Sequence, residues 1–236
     1  MADINYKKLR EYIQRPGFEG RSTPQGYVPS GDKSGVTIGV GFDLGQHNEK
    51  DLKAIGFNDK LIETLKPYLG KQGDDARKIA SNLIVSGKDY IDVIELPVKA
   101  KADRIVEKYN QITGKDAFQN LEQGLQNTIF GVMYNVGVEE ETGAPGFWKQ
   151  ATSKDWDSLL LNLTGKGPTG GWMEQQETRT RQRNELLASG AVDVQKILDE
   201  DKRGVIEGLT DIQSKKNDKE SFFPDNAVMR DVLKKY

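Results

Sequence analysis

The sequence predicts an α+β protein that is mostly helical, and three observations lead there. Apolar residues recur at helical spacing from the start of the chain to about residue 212. One stretch breaks that pattern, Gly35-Val36-Thr37-Ile38-Gly39-Val40-Gly41-Phe42-Asp43-Leu44, where β-branched residues run between two turn clusters. The 236 residues suffice for one core or for two lobes sharing a cleft, and they contain no internal repeat or low-complexity tract.

In chain order, Asp3 to Gln14 reads as an amphipathic helix with Ile4, Leu9, Tyr12 and Ile13 on one side, stopped by Arg15-Pro16-Gly17. Phe18-Glu19-Gly20 follows, then a turn-rich insert ending in Ser30-Gly31-Asp32-Lys33-Ser34-Gly35. A strand leaves that turn at Val36. Gly39-Val40-Gly41 then reverses the chain, because a glycine on each side of one residue accepts positive φ. A reversal centred on Val40 sets Ile38 against Phe42 and Thr37 against Asp43. Opposed residues on one face of an antiparallel pair have Cβ atoms roughly 4.5–5.5 Å apart. Asn48 to Ile55 is expected as a short helix capped by Asn48 and closed by Gly56, and Asn58 to Leu69 as a helix bent or ended by Pro67.

Asp74 to Val85 has Ala76, Ile79, Ala80 and Leu83 at helical spacing. Pro97 suits the first position of a helix that Gly114 ends. Asp116 to Val136 is the most apolar helix and the expected centre of the helical part, with Gly124 and Gly131 allowing close packing. Phe147–Gln150 and Asp155–Leu163 read as short helices, the second capped by Ser153. Thr164 to Gly171 reads as a glycine-rich loop, and Trp172 to Ala188 as a polar helix ended by Gly190. After Gly190 the composition changes to mixed charge, so 191–236 is expected to be a helical extension: a hairpin of its own, a brace, or a partner-binding element.

Composition removes several classes of function. A net charge of −2 lacks the bulk positive charge of a general nucleic-acid binder. No apolar run approaches the ~20 residues of a membrane-spanning helix. The first residues, Met1-Ala2-Asp3-Ile4-Asn5-Tyr6-Lys7-Lys8, show no signal-peptide core, which leads to the expectation of synthesis in the cytoplasm and release by another agent. With no cysteine and one histidine, thiolate chemistry, disulfides and multi-histidine metal sites are out of reach, and no metal or cofactor is expected. That histidine, His47, sits beside the cap residue Asn48 and reads as an ordinary cap-region residue.

Carboxylate chemistry remains. Glu19 lies where the first helix ends, and Thr37 with Asp43 forms a hydroxyl–carboxylate pair across the expected hairpin. That set suits glycosidic hydrolysis: one acid protonates the leaving oxygen, and a second carboxylate with a hydroxyl holds the attacking water.

The same residues resemble a known family. Phe18-Glu19-Gly20 followed by Thr37-Ile38-Gly39-Val40-Gly41 resembles the active-site region of phage-type lysozymes, and Tyr134-Asn135-Val136-Gly137 resembles the aromatic-Asn-Val-Gly segment of endolysins. Phe147 to Leu163 and the Arg179/Arg181/Arg183 stretch resemble the helices that follow. The common phage-type order places an Asp before the Thr, which here is Asp32 in the turn cluster. The order Thr-Ile-Gly-x-Gly-Phe-Asp is similar to the muramidase domain of the pesticin group, and the cross-strand pairing favours Asp43. Against that stands an Asp43 that merely caps a turn.

The resemblance implies a lysozyme-like fold over residues 1–190, with a hairpin lobe at 1–57 and a helical lobe at 58–190. It also implies a muramidase acting on peptidoglycan glycan strands in the periplasm or cell wall. A phage endolysin, a bacteriocin domain and an injected effector all fit that activity; the missing signal peptide and toxin-translocation region lead to the expectation of an endolysin, and a monomer is expected. Glu19, Thr37 and Asp43 would be catalytic, and Asn135, Trp172 and Arg181 would bind substrate. For Asn135 a capping role stands beside that reading. Of Trp148 and Trp172, at least one is expected in the core, and the arginines near residue 180 are expected on a solvated face. The other classes are a non-catalytic wall- or protein-binding module of the same shape, and a lytic transglycosylase, which would need Glu19 and not Asp43.

Overall fold

The computed structural model describes residues 3–14, 22–29, 33–136, 144–163, 182–183 and 185–192. It is α+β with helices predominating, and the chain divides into two compact units. The first comprises Met1–Leu121 with Ile129–Gly143, the second Glu122–Thr128 with Ala144–Tyr236.

The first unit opens with α1 (Tyr6–Ile13), shorter than its apolar pattern because Asn5 caps it, its side chain accepting from the Lys8 N–H. Leu9, Tyr12 and Ile13 are buried. A three-stranded antiparallel sheet follows in the order β1 (Thr23–Tyr27), β2 (Thr37–Gly39), β3 (Phe42–Asp43). β1 is a finding beyond the expected hairpin. Its Pro24 and Gly26 are poor strand formers, and the strand is fixed by partners on both edges. β2 pairs along one edge, while Gly26 N–H donates to Leu83 O (2.9 Å) and Val85 N–H to Pro24 O (2.9 Å) along the other.

The β2–β3 register is the expected one, Ile38 opposite Phe42 and Thr37 opposite Asp43. Gly39 and Gly41 hold φ of 62° and 71°, which makes the reversal at Val40 possible. Val36, Ile38, Phe42 and Leu44 join the apolar core built with α2 (Glu49–Ile55) and α3 (Asp59–Leu65), including Leu52, Leu61 and Leu65. α2 carries the expected Asn48 cap, completed into a capping box by Asp51, and ends at Gly56 with φ 101°. Pro67 converts the end of α3 into a single 3₁₀ turn, Lys66–Tyr68. α4 (Gly73–Ile79) likewise passes into a 3₁₀ turn at Ala80–Asn82.

Two expected helix starts move. Pro97 does not open a helix but lies inside α5 (Gly87–Thr113). Its missing N–H leaves the Val93 carbonyl without an intrahelical donor, and the hairpin turn packs there: a Cβ on Gly39 would come 2.9 Å from that oxygen. α6 (Gln123–Val136) begins later than its apolar pattern. Asp116 takes φ 59°, and Asn110 accepts from the Phe118 N–H (2.8 Å) while donating to Gln119 (2.8 Å), so a side-chain-held turn replaces the first helical turns.

In the second unit, Gly124 packs against residues 185–189 so closely that a Cβ would come 2.5 Å from the Glu185 carbonyl oxygen. α7 (Pro145–Ser153) and α8 (Trp156–Leu163) pack together. The cap on α8 comes from Asp155, which accepts from the Ser158 N–H, rather than from Ser153. Trp148 is buried core. Arg183 is also buried, against the expectation of a solvated arginine face, and burial pushes its guanidinium down to about 10. No described helix is long and apolar enough to cross a membrane.

Candidate active site

The site is built at the two ends of the tight turn. Thr37 is buried at 2% exposure and Asp43 is half-buried, each facing the other across the β2–β3 pair. Their side chains are tied together through one residue, Gly35. Its N–H donates to Oδ2 of Asp43 (3.2 Å), and its carbonyl accepts from the Thr37 hydroxyl (3.3 Å). Oδ1 of Asp43 accepts from the Gly45 N–H at 2.8 Å, so Asp43 also caps the 3₁₀ turn Leu44–Gln46. The catalytic and capping readings of Asp43 therefore coincide geometrically. Each oxygen takes one backbone donor and keeps acceptor capacity for another.

His47, the residue after that turn, stacks on Phe42 with ring centroids 4.7 Å apart. Burial is the largest influence on it and lowers its pKa; the charges of Asp51 and Asp43 oppose this, and Lys101 reinforces it. Among the described residues no group of three or more His, Asp or Glu side chains is placed to hold a metal ion.

The turn itself is held from α6. Tyr134, 5% exposed, donates its hydroxyl to the Val40 carbonyl at 2.7 Å. Lys101 of α5 lies 4.3 Å from the centre of the Tyr134 ring and donates to the Tyr134 carbonyl. The next residue, Asn135, is exposed near the end of α6. Glu19, Asp32, Trp172 and Arg181 lie outside the described residues, as does most of the extension, 193–236. The structure thus brings together Thr37 and Asp43, shows Gly45 as the partner in the turn-capping alternative for Asp43, and adds two residues that the sequence reading passed over: Gly35 and, for its hydroxyl, Tyr134. Gly45 had a legible signal, since an aspartate two residues before a glycine is a common side-chain-to-backbone turn.

The chain matches, over residues 11–157, the model of a family described as Pesticin: Bacterial toxin homologue of phage lysozyme, C-term. That span is more than half of its length. The chain belongs to this family. No match was found among curated proteins. The matched span of this pesticin-family protein includes Glu19, Thr37, Asp43 and Asn135, while Trp172 and Arg181 lie beyond it. The fold is accordingly the lysozyme-like α+β one, and family membership supports a lysozyme-like cell-wall hydrolase, an enzyme of the glycoside hydrolase type with peptidoglycan as substrate.

Proposed function

We propose that this pesticin-family protein is a muramidase, cleaving the β-1,4 bond between N-acetylmuramic acid and N-acetylglucosamine. The observation that carries the reading is the β2–β3 register, which faces Thr37 with Asp43 inside the family's matched span. Glu19 is the general acid and donates its proton to the glycosidic oxygen as the bond breaks, so it must be protonated at working pH. Asp43 accepts a hydrogen bond from one O–H of the attacking water and the Thr37 oxygen accepts one from the other. The water lone pair then adds to the anomeric carbon, and the released proton passes to Asp43. A water between carboxylate and sugar calls for inversion, with the two carboxyl groups roughly 6.5–9.5 Å apart. Asn135, Trp172 and Arg181 are proposed as glycan contacts, and 191–236 as a helical extension outside the catalytic fold of 1–190. The setting proposed is that of an endolysin acting on the periplasmic or extracellular wall after release.

The test is turbidity loss of outer-membrane-stripped bacteria with wild type and Glu19→Gln, alongside identification of the released ends. Reducing N-acetylmuramic acid ends support the reading. Anhydro ends that persist in Asp43→Asn mark a lytic transglycosylase instead.

One observation favours a second reading. Asp43 satisfies two backbone donors, as a purely structural aspartate would. Under that reading the protein binds the wall without cutting it, and it would sediment with purified peptidoglycan while releasing no new ends.

A further inference from the structure

Strand pairing brings Asp43 opposite Thr37, but the direction of its carboxylate is set by two peptide groups. One is Ser34–Gly35, whose N–H reaches Oδ2; the other is Leu44–Gly45, whose N–H reaches Oδ1. A single short segment, residues 70–73, holds the far side of both. Gly73 N–H donates to Ser34 O (3.0 Å), the carbonyl of the first peptide, and Gly70 N–H donates to Leu44 O (3.2 Å), the carbonyl of the second. Two parallel relays therefore run from this segment through a peptide to the carboxylate, and hydrogen bonds in such chains polarise one another.

The packing leaves little slack. A Cβ on Gly35 would lie 2.2 Å from Oδ1 of Asp43, and one on Gly45 would lie 2.5 Å from the Lys71 carbonyl oxygen. Gly70 and Gly73 take φ of 67° and 56°, which suits glycine. Gln72 completes the arrangement. It occupies the N-cap position of α4 yet makes no cap bond, and its Nε2 donates instead to the Gly45 carbonyl at 3.2 Å. Its backbone forms an antiparallel bridge with Gly35.

We propose that Gln72, on the 70–73 segment, is a positioning residue for Asp43: its side-chain amide fixes the Gly45 peptides and thereby the aim of the carboxylate. The proposal rests on the catalytic reading of Asp43 given above. Gln72 is exposed, so its replacement leaves the core intact.

The experiment uses the full chain with purified peptidoglycan as substrate and the variants Gln72→Ala, Gly70→Ala and Asp43→Asn, singly and in combination. Gly70 has open space around its Cβ position, so alanine there perturbs the backbone alone. Gln72→Ala should lower kcat roughly three- to tenfold with KM unchanged, the range a single neutral hydrogen bond supports. Amide exchange at Gly45 should speed up in parallel. In the Asp43→Asn background the same change should have no further effect on kcat, since contributions routed through one residue are not additive. Gly70→Ala should repeat the pattern. Wild-type kcat in Gln72→Ala overturns the proposal, and so does an equal fold-loss with and without Asp43, which marks general destabilisation. Full activity in Asp43→Asn overturns the catalytic reading itself, and exchange at Gly45 then still reports whether Gln72 holds that peptide.

Discussion

Tyr134→Phe removes one oxygen atom from the interior of the first unit and leaves the ring in place. The ring keeps its packing on Phe130, 5.4 Å away between centroids, and its contact with Lys101. What is lost is the donor to the Val40 carbonyl, in a place where Tyr134 is 5% and Val40 2% exposed, so water does not readily replace it. A buried acceptor deprived of its partner costs about 1–3 kcal/mol. At about 2–4 °C per kcal/mol for a chain of this size, the melting temperature should fall by about 2–12 °C. The effect on catalysis should be larger than the remaining fold stability suggests. Val40 is the centre of the turn between Thr37 and Asp43, and a displacement of about 1 Å at reacting groups is worth up to 10²-fold in rate. Circular dichroism gives the melting temperature, and initial rates on purified peptidoglycan, taken well below the transition, give the activity. An unchanged melting temperature and rate would show that the hydroxyl does not hold the turn. A lowered melting temperature with an unchanged rate would show that the site does not depend on it.

Three further outcomes are expected. Glu19→Gln should abolish lysis, Asp43→Asn and Thr37→Ala should each lower it by orders of magnitude, and Asp32→Asn should be nearly silent; the reverse pattern for the two aspartates, read in the same turbidity assay, refutes the cross-strand assignment. Gly39→Ala should destabilise by about 1–2 kcal/mol from its φ of 62° alone, with more from the close Val93 carbonyl, and a chemical-denaturation midpoint equal to wild type would contradict this. His47 is the sole histidine, so its proton resonances can be followed directly, and its midpoint should lie below the ~6.5 of a free imidazole. The unfolded state then binds more protons, so His47 should reduce stability as pH falls from about 6.5 through the folded-state value, and His47→Gln should flatten that part of the stability–pH curve.

The parts of the fold legible in the sequence are those fixed by neighbours in the chain. The Gly39-Val40-Gly41 turn determines its own register, and Asn48 with Gly56 determines both ends of α2. The parts that were not legible depend on distant partners. β1 reads as loop because Thr23-Pro24-Gln25-Gly26-Tyr27 has little strand propensity, and it becomes a strand only between β2 and the Leu83–Val85 backbone. Arg183 reads as surface because arginine usually is, and nothing local announces its burial. The site divides the same way. Thr37 opposite Asp43 follows from the turn, whereas Gln72 contributes from across a gap of 27 residues to Gly45 with no pattern to mark it.

A hairpin of this size cannot set its own geometry. β2 has three residues and β3 has two, and strands that short are marginal without support. The support comes from two helices distant in the sequence that take consecutive residues of one turn. α5 offers the Val93 carbonyl, left without an intrahelical donor by Pro97, and Gly39 meets it closely because it has no Cβ. α6 offers the Tyr134 hydroxyl, which takes the carbonyl of the next residue, Val40. The proline that looked like a helix start and the glycine that looked like a turn residue are thus two halves of one contact. Fixing the turn in this way fixes where the two strands leave it. The glycine cradle then aims what the second strand carries, so the turn and the cradle are the two places where a mutation distant from Asp43 should still be felt as lost activity.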